Sequence, residues 1–124
     1  MRYLYLLCSI IIFSCSSKPK DCQRFKTGTF KYENSSFSNW IVTRNDSIQI
    51  EIDKLNNIKI IGKIKWLSDC RYILTYTDIN DLKQKDAIGT TVDVEILSSN
   101  NNNYKCIAIN NENTLNLNMI KIAE

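Results

Sequence analysis

From residue 58 the chain reads Ile58, Lys59, Ile60, Ile61, Gly62, Lys63, Ile64, Lys65, Trp66, with apolar side chains set against lysines. That is close to a period of two, the spacing at which successive side chains of an extended strand point to opposite faces. The same period runs through most of the chain after residue 22. Clusters of Asn, Asp, Ser and Gly interrupt it roughly every eight to twelve residues, the turn spacing of antiparallel all-β domains. Strands are expected over 25–33, 40–44, 47–52, 58–66, 70–77, 91–97, 104–109 and 115–122, with one helical turn near 81–85. Gly62 marks a bend or bulge, and the change of apolar phase from Met119 to Ile120 predicts a second bulge near Met119. Strands in simple up-and-down order with one apolar face must close on themselves or be covered. The fold class is therefore all-β, a small antiparallel up-and-down barrel of about eight strands, with a two-sheet β-sandwich as the alternative. A barrel of that size is filled by side chains or holds one small ligand.

One hairpin carries the candidate site. If Asn45 and Asp46 form a two-residue turn, Thr43 faces Ile48 and Ile41 faces Ile50, and this apolar face is expected to meet the core. The opposite face then groups Trp40 with Glu51 and Val42 with Gln49, with Arg44 beside the turn. Trp40, Arg44, Gln49 and Glu51 form a candidate binding face, directed outward in that arrangement and inward if the faces are reversed. Lys59, Lys63 and Lys65 make a basic stripe that solvates its strand.

The chain contains no histidine, which removes the commonest general base, the Ser-His and Cys-His nucleophile pairs and the usual zinc ligands. With no Cys-x-x-Cys pair and only three glycines, neither a metal site nor a phosphate loop is expected. The net charge of +3 is too small to argue nucleic-acid binding. No cofactor and no catalytic residue is predicted.

Met1 and Arg2 precede a mostly apolar run from Tyr3 to Phe13, too short to span a bilayer and followed by Ser14 and Cys15. Ile12, Phe13, Ser14 and Cys15 resemble the lipobox of bacterial lipoproteins. The resemblance implies a signal peptide over 1–14, lipidation of Cys15, a tether over 15–21 and a single β domain over 22–124. It places the protein in the bacterial cell envelope, held to a membrane, the outer one, through its lipid. Asp46-Ser47-Ile48 is similar to the O-glycosylation sequence of exported proteins in the Bacteroidetes group, which makes Ser47 a candidate modification site.

Of five cysteines, Cys22, Cys70 and Cys106 fall in the domain, in an oxidising compartment if the chain is exported. Cys22 and Cys70 both sit at the start of expected strands and are the preferred disulfide, leaving Cys106 as a free thiol or a small buried hydrophobe. Cys22 with Cys106, and Cys70 with Cys106, remain open alternatives.

The run Cys22-x-x-Phe25-Lys26-x-Gly28-x-Phe30, then Ile41-x-x-Arg44-x-Asp46-Ser47-x-Gln49-x-Glu51, then Ile64-x-Trp66-x-x-Asp69-Cys70-x-Tyr72-x-Leu74 resembles small lipoproteins of the Bacteroidetes group over most of residues 15–76. The Gly28-x-Phe30 start is loosely similar to lipocalin-like barrels. These resemblances imply lipidation and a β fold, and no reaction. The expected function is non-catalytic binding of a small apolar ligand or an envelope partner. The alternative is an accessory subunit or inhibitor of an exported enzyme.

Overall fold

The computed structural model describes residues 21–124, so the expected signal peptide and Cys15 lie outside the described residues. Eight strands form a closed antiparallel barrel in which each pairs with its chain neighbours and β1 closes on β8. They are β1 (Gly28–Tyr32), β2 (Trp40–Arg44), β3 (Ile48–Asp53), β4 (Ile58–Ser68), β5 (Arg71–Ile79), β6 (Thr91–Asn100), β7 (Asn103–Ile109) and β8 (Thr114–Ala123). Closure leaves no sheet edge unpaired, the problem a meander of this length must solve. The expected sandwich alternative is excluded.

Curvature is introduced where the sequence allows it. Gly62 sits at a register shift between β4 and β5, and a Cβ there would lie 2.5 Å from Leu74 Cδ1 and 3.2 Å from the Thr75 carbonyl oxygen, so a larger residue would force Leu74 to shift. At β8 the expectation needs correction. Met119 and Lys121 are both buried, so the inward phase runs through Met119 unbroken. The shift falls instead between Thr29 and Phe30 of β1, which face Ala123 and Lys121, placing the extra residue of β8 at Ile122. The phase change in the sequence arises because a lysine, not an aliphatic residue, takes the inward position at 121.

The meander puts alternate connections at opposite ends. At one end, a 3-10 turn over Gln23–Phe25, where the sequence predicted the start of a strand, plugs the barrel. Phe25 is 0% exposed and packs on Tyr104, ring centroids 4.7 Å apart. The C-terminal carbonyls of a helical turn have no partners of their own, and two buried cations supply them. Arg44 Nη1 donates to the Phe25 carbonyl at 2.6 Å, and Lys121 Nζ donates to the Arg24 carbonyl at 2.7 Å. A Cys22–Cys70 disulfide ties the plug to the β4–β5 turn, as preferred from the sequence. Cys106 is free and buried.

Candidate ligand-binding site

The plug leaves the upper interior unfilled. A cavity of about 240 Å³ runs from Arg44 near the plug to a mouth where Phe37, Asn110 and Asn113 stand among the loops of the other end. Its walls combine aliphatic side chains with many aromatic ones.

The β2–β3 hairpin contributes the polar part, and its faces are the reverse of the core-facing arrangement expected. The observed register pairs Arg44 with Gln49, Thr43 with Ile50, Val42 with Glu51, Ile41 with Ile52, and Trp40 with Asp53. The turn is longer than the two residues predicted. Asn45 Oδ1 accepts from the backbone N–H groups of Ser47 and Ile48 at 2.9 and 2.8 Å, and this Asx-type wrap holds a wider loop. Trp40, Val42, Arg44, Gln49 and Glu51 all line the interior, while Ile48 and Ile52 face out and are exposed. Polar residues go inward here because the interior supplies them with partners.

Arg44 is 4% exposed. Its guanidinium lies over the Phe30 ring at 4.7 Å and the Tyr72 ring at 5.0 Å. Its Nε donates to Gln49 Oε1 at 2.9 Å and its Nη2 to the Tyr104 hydroxyl at 3.2 Å. Together with the Phe25 carbonyl, these are neutral acceptors at the edge of the fork and aromatic rings on its faces. Among the described residues no carboxylate comes within ion-pairing reach of it.

The chain of bonds continues upward. Gln49 is 5% exposed; its Oε1 also accepts from the Tyr72 hydroxyl at 3.3 Å, and its Nε2 donates to Glu51 Oε1 at 2.9 Å. Burial raises the Glu51 carboxyl above the ordinary carboxylate range, against the opposing pull of the Gln49 bond and the Arg44 charge. The Tyr32 and Tyr76 hydroxyls, also raised chiefly by burial, line the cavity without a hydrogen-bond partner among the described residues. Neither these tyrosines nor Tyr72 and Tyr104 were singled out from the sequence as site residues. The available signal was tyrosine, rather than an aliphatic residue, recurring at inward positions.

Elsewhere, Ser47 sits exposed in the β2–β3 turn, and Lys59, Lys63 and Lys65 point outward as expected. The described residues hold no cluster of metal-binding side chains. Asp53, inward like Glu51, is committed to its own turn, accepting from Leu55 N, Asn56 N and Asn56 Nδ2; those bonds hold its carboxyl below the usual range.

No protein-family model, curated protein or solved structure matches the chain, so the chemistry of the site rests on its own geometry.

Proposed function

We propose that this chain is a lipid-anchored envelope protein that binds a small, largely apolar ligand inside its barrel and performs no reaction on it. The observation that carries this reading is the cavity of about 240 Å³, open at the loop end and closed by a plug at the other. Such a concave, mainly apolar space with a few convergent polar groups is the usual form of a small-molecule site. The anchor would be Cys15, seven residues before Cys22. Since Cys22 lies at the plugged end, a lipid on Cys15 would hold that end within about 25 Å of the outer membrane, by the reach of an extended chain.

The binding reading is tested by calorimetric titration with 2-naphthylmethanol, comparing the wild type with Ala108→Phe, which projects a ring from β7 into the cavity. Binding to the wild type and its loss in a variant that keeps its β-barrel circular dichroism support the reading. Undiminished binding in the variant refutes it. For the anchor, Cys15→Ser is expected to move the protein from the membrane to the soluble fraction; unchanged fractionation removes the lipid from the account.

A second reading has its own observation. Ile41, Ile50, Ile52 and Ile61 are register neighbours on the outer face of β2, β3 and β4, an apolar patch beside Lys59. It suits an accessory subunit or inhibitor that docks by this wall, and a stoichiometric partner recovered after crosslinking from the native host would favour it. Modification of Ser47, at the edge of this wall, is tested by glycopeptide mass spectrometry.

A further inference from the structure

The barrel interior already contains charged groups. Arg44 carries a buried positive charge, and the nearest anion available to it inside the cavity is Glu51, reached through Gln49. Gln49 is oriented by this role: its carbonyl meets the guanidinium and its amide meets the carboxylate. The cavity wall thus holds a guanidinium and a carboxyl joined by a polarised amide; Lys121 and Asp53, also buried, are committed to the plug and to the β3–β4 turn. A charge added to or removed from such a low-dielectric space is costly unless a partner matches it. Arg44 is already occupied by three acceptors and two ring faces. The groups left open toward the cavity are the second oxygen of Glu51, which accepts, and the hydroxyls of Tyr32 and Tyr76, which both donate and accept.

Resting on the reading of the cavity as a ligand site, we infer that the ligand is uncharged and carries a hydroxyl or amide N–H head, which donates to the Glu51 carboxylate between Tyr32 and Tyr76 while its apolar body fills the aromatic upper cavity. An acidic ligand would put a second anion beside Glu51. An ammonium ligand would put a second cation into a space that already holds Arg44.

Binding of this kind has a signed pH dependence. The groups facing Glu51 are Tyr32 from β1, Arg44 from β2, and Tyr72 and Tyr76 from β5, while Tyr104 and Cys106 from β7 face Arg44. The tyrosines and Arg44 are pushed upward, and the Cys106 thiol is pushed up to about 11. Glu51, itself raised by burial, is therefore the first of these groups to ionise as pH rises. A donor head needs its ionised form, so affinity falls with acidification.

The test uses the full chain and an isosteric set of probes, 2-naphthylmethanol, 2-naphthoate and 2-naphthylmethylammonium, titrated calorimetrically at about pH 8 and about pH 5. The alcohol is expected to bind at least tenfold more tightly than either charged probe at pH 8, and to weaken at pH 5. Glu51→Gln should weaken alcohol binding about tenfold or more, as loss of a charge-assisted hydrogen bond does, and abolish the pH dependence. Tyr32→Phe and Tyr76→Phe should each weaken it several-fold, providing variants that add no new polar group. Preference for naphthoate, with affinity rising on acidification, overturns the inference in favour of an acid; preference for the ammonium overturns it in favour of an amine. Equal affinities overturn head-group recognition while leaving the cavity reading standing, whereas no binding by any probe removes the cavity reading itself.

Discussion

Removing the Cys22–Cys70 bridge should cost this barrel a large part of its stability, and the size of the loss follows from the length of chain it closes. The two cysteines are 48 residues apart. In the chain-entropy model, closing a loop of that length lowers the entropy of the unfolded ensemble enough to stabilise the fold by about 4 kcal/mol at 25 °C. Domains of this size are commonly stable by only about 5–15 kcal/mol, and with an unfolding entropy of about 2 cal/mol/K per residue the loss corresponds to a fall in Tm on the order of 20 °C. The native state should lose much less, because Phe25 stays buried and the Arg44 and Lys121 bonds still hold the plug. The double variant Cys22→Ala/Cys70→Ala is therefore expected to fold, with its urea midpoint lowered and its m-value raised, because the unlinked chain exposes more surface on unfolding. Tryptophan fluorescence of Trp40 and Trp66 follows both transitions. A loss below about 1 kcal/mol with an unchanged m-value would show that the bridge does not act by constraining the unfolded chain.

Arg44→Met keeps an unbranched apolar stem, removes the guanidinium and strips three neutral acceptors of their donor. It should cost about 2–5 kcal/mol in urea unfolding, and a loss under 1 kcal/mol would mean that the plug does not depend on this cation. Glu51 is raised by burial, so its ionisation opposes folding. The stability associated with it is present at low pH and is lost as pH rises through the folded pKa. Glu51→Gln should therefore stabilise the unliganded protein at neutral pH by about 0.5–2 kcal/mol, with the gain vanishing below about pH 4; destabilisation at pH 7 contradicts it. Cys106, buried with its thiol pushed up to about 11, should resist Ellman's reagent in the native state and react within minutes in denaturant, whereas fast native labelling would place it at the surface.

The strand pattern of this chain could be read because its turns are spelled in Asn, Asp, Ser and Gly, and because β4, β5 and β6 alternate cleanly. Val94 and Ile96 turn inward between Asp93 and Glu95 as expected, as do Tyr72 and Leu74. Closure of the barrel was inferred from the need to cover an apolar face. The β2–β3 hairpin shows where such inference stops. Its two faces are both half apolar, and hydropathy favours burying the isoleucines. The deciding contacts are made by Arg44 with Phe25, Phe30, Tyr72 and Tyr104, residues 14 to 60 positions away along the chain. No local pattern carries that information. Lys121 was hidden for the same reason, since its partner is a backbone carbonyl of the plug. The residues of the candidate site were therefore legible as a group on one strand face, while their inward direction and their tyrosine neighbours were set by tertiary partners.

If the space inside this barrel receives a ligand, as proposed, an apolar probe must perturb the residues that line it. The most direct test is a titration of the isotope-labelled protein with 2-naphthylmethanol, followed by amide and methyl chemical shifts. Saturable shifts are expected, concentrated at Tyr32, Val42, Glu51, Tyr76, Val94 and Leu117, which line the cavity. Shifts confined to the outward isoleucines Ile41, Ile50, Ile52 and Ile61, with the interior unmoved, would contradict the proposal.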